Sequence, residues 1–416
     1  MDFERLFKQS LTGSEPLESK LVKRFDLAEL VTFAQNKKTA IYNWFYYKEG
    51  FSRDFVWKTL EGLEIPEKSL VLDPFCGTGT TLLACKQAGF NSLGFDILPL
   101  GVFVSRVKLE DNYNVSLLES ESRRLTSLRF EKPQSKLVDI RFLDMRKVYN
   151  PYARDDIAFF KEKIMQIEDE KTRNFLLLGL LSIVSQCSNI KKDGGVLKVV
   201  RNKGIPVRHL LKNKLKRMIH DLKEDEFKNR EASFKVDVGD ARKLETEDSS
   251  IDAVITSPPY LNNIDYTKVY ALELSLLVNS AKEMEQLRRM SMRSHVGASY
   301  ELDEKNPAVE KVLDKIRLEN NQEKLPLVVE GYFNDLHHSL KEASRVLKSG
   351  GCAVYVVANA TLPNLAIDID LHLAEIAEQN GFQTMEIQVA NARWADVHGI
   401  SKPKPARESA VIVKKK

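Results

Sequence analysis

Short apolar runs recur along the chain where a buried sheet would need them. SLVLDPF (69–75), NSLGFDI (91–97), FKVDVGD (234–240), IDAVITS (251–257) and GCAVYVVAN (351–359) are rich in β-branched and aromatic residues, and each gives way to Asp, Ser, Asn or Pro. Helical patterns lie between most of them. TTLLACKQAG stops at Gly89, VEGYFNDLHHSLKEASRVLKSGG runs as an amphipathic helix to Gly350 and Gly351, and LHLAEIAEQNG closes at Gly381. Strands alternating with helices predict an α/β fold with a doubly wound, Rossmann-like, mostly parallel sheet. QTMEIQVAN and SAVIVKK follow with no helix between them, so an antiparallel C-terminal hairpin is expected to finish the sheet.

The alternation breaks twice. Over a hundred residues separate Asp96 from Phe234, too many for a loop, and most of them read as helix. Residues 110–232 are therefore expected to form a helical, basic insert between a first half of the sheet domain (1–109) and a second half (233–416). A smaller helical insert covers about 262–326.

Composition narrows the picture modestly. With 416 residues, 43% of them hydrophobic, the chain can bury one large core or two moderate ones. Its four cysteines form no CxxC, which argues against a disulfide scaffold or a zinc module and for a reducing compartment. No ligand spacing suggests a metal. No apolar run reaches the length of a membrane span, and FLLLGLLSIV (175–184) suits a buried helix. The first twenty residues lack a signal-peptide pattern, so a cytoplasmic, membrane-free protein is expected. Net charge is only +4, which permits nucleic acid without requiring it.

VLDPFCGTGTTLLAC (71–85) is a strand, a Gly/Thr turn and a helix start. Such a turn can hold phosphate, but a P-loop needs a lysine here, and the dinucleotide fingerprint needs a glycine where Leu82 stands. Asp73, just before the turn, would repel phosphate and suit an ammonium. Asp96 ends the next strand, where an acid can take ribose hydroxyls. Asp240 ends a third, where a side chain or backbone can meet an adenine. One ligand carries all three groups: S-adenosylmethionine. Singly, each acid would serve as well for a helix cap.

Strand IDAVITS runs into Pro258-Pro259-Tyr260. Two prolines cannot continue a helix and set a rigid loop. Ser257 then offers a hydroxyl, Pro258 a carbonyl and Tyr260 a stacking face.

DPFCGTGTT together with TSPPY resembles the S-adenosylmethionine-dependent amino-methyltransferases of DNA, which modify cytosine N4 or adenine N6. The resemblance spans most of the chain outside the inserts and includes YNWFYYKEGFSRDFV (42–56), a segment that closes over the methionine end of the cofactor in that family. It implies cofactor contacts from Asp73, Pro74, Phe75, Gly77, Thr78, Gly79 and Thr80, from Asp96 and Ile97, from Asp240 and Ala241, and from Phe45. It implies a target base held by Ser257, Pro258, Pro259 and Tyr260. It also implies double-stranded DNA as partner and a restriction-modification setting with a cognate endonuclease or defence-system proteins. TSPPY is the loop form most associated with cytosine N4. The glycine turn precedes the loop here, an order resembling branches that include adenine enzymes. An RNA base methyltransferase and a non-catalytic DNA-binding subunit remain as alternatives.

The stretch Lys191–Arg217 holds ten Lys/Arg and one acid. Such density suits phosphate contacts, which would fall to Lys191, Lys192, Arg201, Lys203, Arg208 and Lys212, with Arg288 and Arg289 from the second insert.

Overall fold

The computed structural model describes residues 15–140, 144–193, 195–200, 204–224, 231–298, 310, 313–314, 324–362, 365–395 and 404–416. Twelve strands occur among them: β1 (Leu21–Lys23), β2 (Leu70–Asp73), β3 (Asn91–Asp96), β4 (Ile190–Asp193), β5 (Val196–Val199), β6 (Phe234–Val238), β7 (Ile251–Thr256), β8 (Leu347–Ala358), β9 (Ala360–Leu362), β10 (Leu365–Ile367), β11 (Phe382–Ala395) and β12 (Lys404–Lys415). Eight form one sheet in the order β1-β11-β12-β8-β7-β2-β3-β6. Strands β6, β3, β2, β7 and β8 are mutually parallel. Strand β12 runs against both its neighbours, β8 and β11. The doubly wound sheet and its antiparallel closing hairpin are therefore present.

Burial on both faces explains the apolar runs. Along β8, Ala353, Tyr355 and Val357 join the cluster formed with Tyr332, Phe333 and Leu336 of the helix Lys324–Val346. Val354 and Val356 point the other way, into a cluster with Phe55 and Val56 of the helix Arg53–Leu63. This is the period-two alternation of a strand covered on both sides.

The helix Lys324–Val346 stops earlier than the glycines at 350 and 351 suggest. Leu347 already pairs with Ile251, and a register shift between Ile251 and Ala253 absorbs the extra residues of β8.

The long insert is mainly helical: Val115–Ser127, Pro151–Met165, Glu170–Leu181 and Val207–Lys223. It also contains the hairpin β4–β5, so the basic stretch is part hairpin and part helix. Its core is continuous with that of the sheet domain: Leu82 and Val104 belong to the same apolar cluster as Phe175 and Leu211. Two of its helices meet closely at Gly179, where a Cβ would lie 2.4 Å from Leu215 Cδ2. The insert also fixes the 42–50 segment. Asp221 accepts from Trp44 Nε1 (2.9 Å), and Lys214 donates to the Asn43 carbonyl (3.0 Å).

Candidate active site

In the sheet order the chain reverses direction between β2 and β7, the crevice where doubly wound folds bind ligands at strand carboxyl ends. A cavity of about 270 Å³ lies there. Its wall takes Pro74 and Phe75 from after β2, Asp96, Ile97 and Leu98 from β3, Asp240, Ala241 and Arg242 from after β6, and Ser257, Pro258, Pro259 and Tyr260 from after β7. Residues separated by up to 186 positions thus share one wall because four parallel strands end on one edge.

The glycine turn lies behind this wall. Gly77 and Gly79 adopt φ of 49° and 78°, and a Cβ on Gly79 would lie 2.7 Å from Ser105 Oγ. Gly77 N donates to Asp96 Oδ2 (2.9 Å), which ties the turn to the end of β3. The carbonyl of Thr78 accepts from the buried Lys108 Nζ (3.2 Å). The structure does not bring Asp73, Gly77, Thr78, Gly79 or Thr80 to the cavity lining. Asp73 is 3% exposed and already committed: it accepts from Thr256 (2.6 Å) and Thr81 (2.5 Å) hydroxyls and from Phe75 N (3.1 Å). It binds β2 to β7 and to the helix Thr80–Ala88. Phe45 also misses the cavity; it is buried with its ring 6.2 Å from that of Tyr270. Tyr47, Lys48, Glu49 and Gly50 line it instead.

Other wall residues had no signal in the sequence pattern. Met290, Ser291, Met292, Ser294 and His295 come from the second insert. Arg242 fastens this segment to the β6 loop, donating to both oxygens of Asp240 (2.9 and 2.7 Å), to Asp335 (3.1 Å) and to the Met290 carbonyl (2.8 Å). His295 Nδ1 accepts from Gly297 N (3.0 Å), and burial holds its pKa below the usual value. Glu408 enters from β12 and accepts from the Tyr260 hydroxyl (3.0 Å). A charged Arg407-Glu408 pair inside the strand run is the one sequence cue that could have drawn attention to it.

The electrostatics favour a ligand that offers donors and positive charge. Burial pushes the Asp96 carboxyl up to about 6, against the backbone N–H groups of Leu98 and Gly77, which pull it down. Were Asp96 to accept from a ribose hydroxyl, as expected from its place at the end of β3, the ionised form would be favoured, and ligand affinity would be full above this value and fall as pH drops through it. Asp73 has the same raised value, again mainly through burial. We expect the affinity for S-adenosylmethionine to fall by up to about tenfold per pH unit below 6. Asp96→Asn should flatten that slope while Asp73 remains in place. Titration calorimetry between pH 5 and 7 checks this, and an unchanged slope in the variant would count against Asp96.

The basic residues divide. Lys191, Lys212 and Arg289 are exposed. Lys192 instead pairs with Glu273 (2.9 Å) and sits 4.2 Å from the Tyr270 ring centre. Arg208 donates to the Thr126 carbonyl (2.7 Å), and Arg288 pairs with Asp265 (2.6 Å). These three serve internal contacts in this structure. Arg201 and Lys203 lie outside the described residues. Among the described residues, no group of three or more His, Cys, Asp and Glu is placed to hold a metal, and no helix is long and apolar enough to cross a membrane.

Residues 33–99 match the family model of N6/N4 DNA methylases. The chain is 28% identical over 428 residues to the Type II methyltransferase M.BsoBI of Geobacillus stearothermophilus, covering 88% of this chain and 83% of that protein. It is 28% identical over 406 residues to M.AvaI of Nostoc sp. strain PCC 7120, covering 87% and 83%. A solved S-adenosylmethionine-dependent methyltransferase from Methanosarcina mazei aligns at 10% identity and a TM-score of 0.30, over 86% of this chain and 96% of that one. The family model over the glycine-turn segment and the relatives over most of the length support an S-adenosylmethionine-dependent DNA amino-methyltransferase.

Proposed function

We propose that this DNA methyltransferase modifies cytosine N4 of a base flipped out of the duplex. The observation that carries the reading is one cavity with two kinds of wall. Asp96, Ile97, Asp240 and Ala241 form a cofactor side, and Ser257, Pro258, Pro259 and Tyr260 form a base side. Both sides line the same cavity, so a methyl donor and an acceptor amine held by them would share it.

S-adenosylmethionine supplies an electrophilic methyl group on a positively charged sulfur. The chain's residues do the rest. Asp96 takes the ribose hydroxyls, and the backbone around Asp240 and Ala241 faces the adenine. An exocyclic amine conjugated to its ring is a weak nucleophile and is hidden in a duplex, so the base must be extruded. The Ser257 hydroxyl and the Pro258 carbonyl accept the two amino hydrogens and turn the nitrogen lone pair toward the donor, which is catalysis by positioning. Tyr260 stacks on the base, and its ring face favours the positive charge that develops there. No thiol is required. Cys76 is buried in the glycine turn, away from the cavity lining, and burial raises its thiol pKa well above the usual value.

The serine form of the loop favours cytosine N4, and the order of the motifs keeps adenine N6 as the second reading. Duplex DNA would cross the face that bears the cavity mouth, with exposed Lys191, Lys212 and Arg289 on its phosphates. The setting we infer is the cytoplasmic modification arm of a restriction system with a cognate endonuclease. Incubation with methyl-labelled S-adenosylmethionine and duplex DNA, followed by nucleoside analysis, should yield N4-methyldeoxycytidine. N6-methyldeoxyadenosine alone would overturn the cytosine assignment, and label confined to RNA would overturn the DNA one.

A further inference from the structure

Asp73 leaves the amino-acid end of the cofactor without the counter-charge expected of it. All three of its partners lie inside the protein, it is 3% exposed, and it is absent from the cavity wall. If the cavity is to bind the whole ligand, other acceptors must face the α-ammonium, and a carboxylate would add its charge to them.

Five carboxylates line the cavity: Glu49, Asp96, Asp240, Asp335 and Glu408. Asp240 is clasped by Arg242 through both oxygens. Asp335 is fully buried between Arg242 and Arg293. Glu408 stands beside Tyr260 on the base side. Asp96 accepts from Gly77 N and Leu98 N and belongs to the ribose. Strand order fixes the direction of the ligand. With adenine at the end of β6 and ribose at the end of β3, its third part extends toward β2 and the glycine turn.

Glu49 stands at that end. Tyr270 donates to its Oε2 (2.5 Å), and Tyr47 stacks on Tyr270 with ring centres 4.9 Å apart and planes 17° from parallel. Tyr47 in turn covers the turn itself: a Cβ on Gly77 would lie 3.1 Å from Tyr47 Cε1. Lys192, whose charge also reaches Glu49, is held by Glu273. A half-buried carboxylate beside two tyrosine rings is a site for a small organic cation.

We propose that Glu49, rather than Asp73, binds the α-ammonium of the methionine portion of S-adenosylmethionine. The proposal rests on the methyltransferase reading and adds a binding residue to it. Asp73 acts on the cofactor only by holding the turn in shape.

Calorimetry on the full chain with S-adenosylhomocysteine and with 5′-methylthioadenosine separates the two ideas, because the second ligand lacks the amino-acid end. Glu49→Gln should weaken S-adenosylhomocysteine about tenfold or more and leave methylthioadenosine near the wild-type value. Binding of methylthioadenosine also reports that the variant is folded, and Glu49→Asp should recover part of the loss. Unchanged S-adenosylhomocysteine affinity in Glu49→Gln, or an equal loss for both ligands, would overturn the assignment. Failure of the wild-type chain to bind either ligand would bring down the methyltransferase reading beneath it.

Discussion

Tyr260→Ala is expected to slow methyl transfer to DNA roughly 10²–10³-fold while cofactor affinity stays near wild type. Stacking of a single base on an aromatic ring is worth ~1–3 kcal/mol, or about 5–150-fold. Loss of the ring also frees the base to drift, and a misplacement of about 1 Å costs on the order of 10²-fold. The ring's own placement depends on the Tyr260 hydroxyl bond to Glu408 (3.0 Å), which anchors the loop after β7 to strand β12. Tyr260→Phe keeps the stacking face and loses that anchor together with the hydroxyl's bond to Ser257. Its cost should stay below that of Tyr260→Ala, at about tenfold, the range of one or two ordinary hydrogen bonds. Single-turnover transfer of labelled methyl to duplex DNA, read beside calorimetry, distinguishes the cases. A Tyr260→Ala enzyme with wild-type transfer rate would remove the loop from the mechanism.

The second large effect concerns stability. Arg407 is fully buried on β12 and binds two acids: Nε and Nη2 donate to Asp370 (both 2.9 Å), and Nη2 to Asp368 (2.8 Å). Ser409 adds a bond to Asp370 Oδ2 (2.8 Å). Asp368 and Asp370 belong to the start of the helix Ile369–Gln379, so the cluster welds that helix to the strand. Arg407→Ala would strand two carboxylates in the interior, and the expected cost is ~3–5 kcal/mol. That is a large share of a typical stability of about 5–15 kcal/mol. Urea unfolding should show the midpoint falling with its slope unchanged. A triple change of Arg407, Asp368 and Asp370 to apolar residues of similar volume should recover most of the loss, since no unpaired charge would remain. A loss below about 1 kcal/mol in Arg407→Ala would show that the cluster is not buried as described.

Much of this was legible because it is periodic or punctuated. Strands β2, β3, β6 and β7 fall within the apolar runs that announce them, and the helix Thr80–Ala88 ends at Gly89 in the left-handed conformation that residue suggests. The cavity was partly legible: Asp96, Asp240 and the Ser257–Tyr260 loop reach it because strand ends are where a parallel sheet presents its residues. Other features depend on contacts distant in sequence. Asp73 looked available because nothing local reveals that Thr256, 183 positions away, takes one of its oxygens. Phe45 and Tyr47 are equally aromatic, and only packing against Tyr270 decides which one faces the cavity. The 290–295 segment follows no period and matches no motif; Arg242 and Asp335 hold it on the wall. The hairpin β4–β5 was hidden in a run of lysines and valines that could equally continue a helix.

Among the described strands, β12 comes latest in the sequence, yet it occupies an interior place between β8 and β11. A nascent chain lacking it would present two long open edges side by side, ready to pair with another molecule. It would also lack Glu408 and Arg407, and with them the anchor of Tyr260 and the clamp on the helix Ile369–Gln379. The sheet can close only once β12 has emerged, so a copy still lacking that strand is an aggregation hazard.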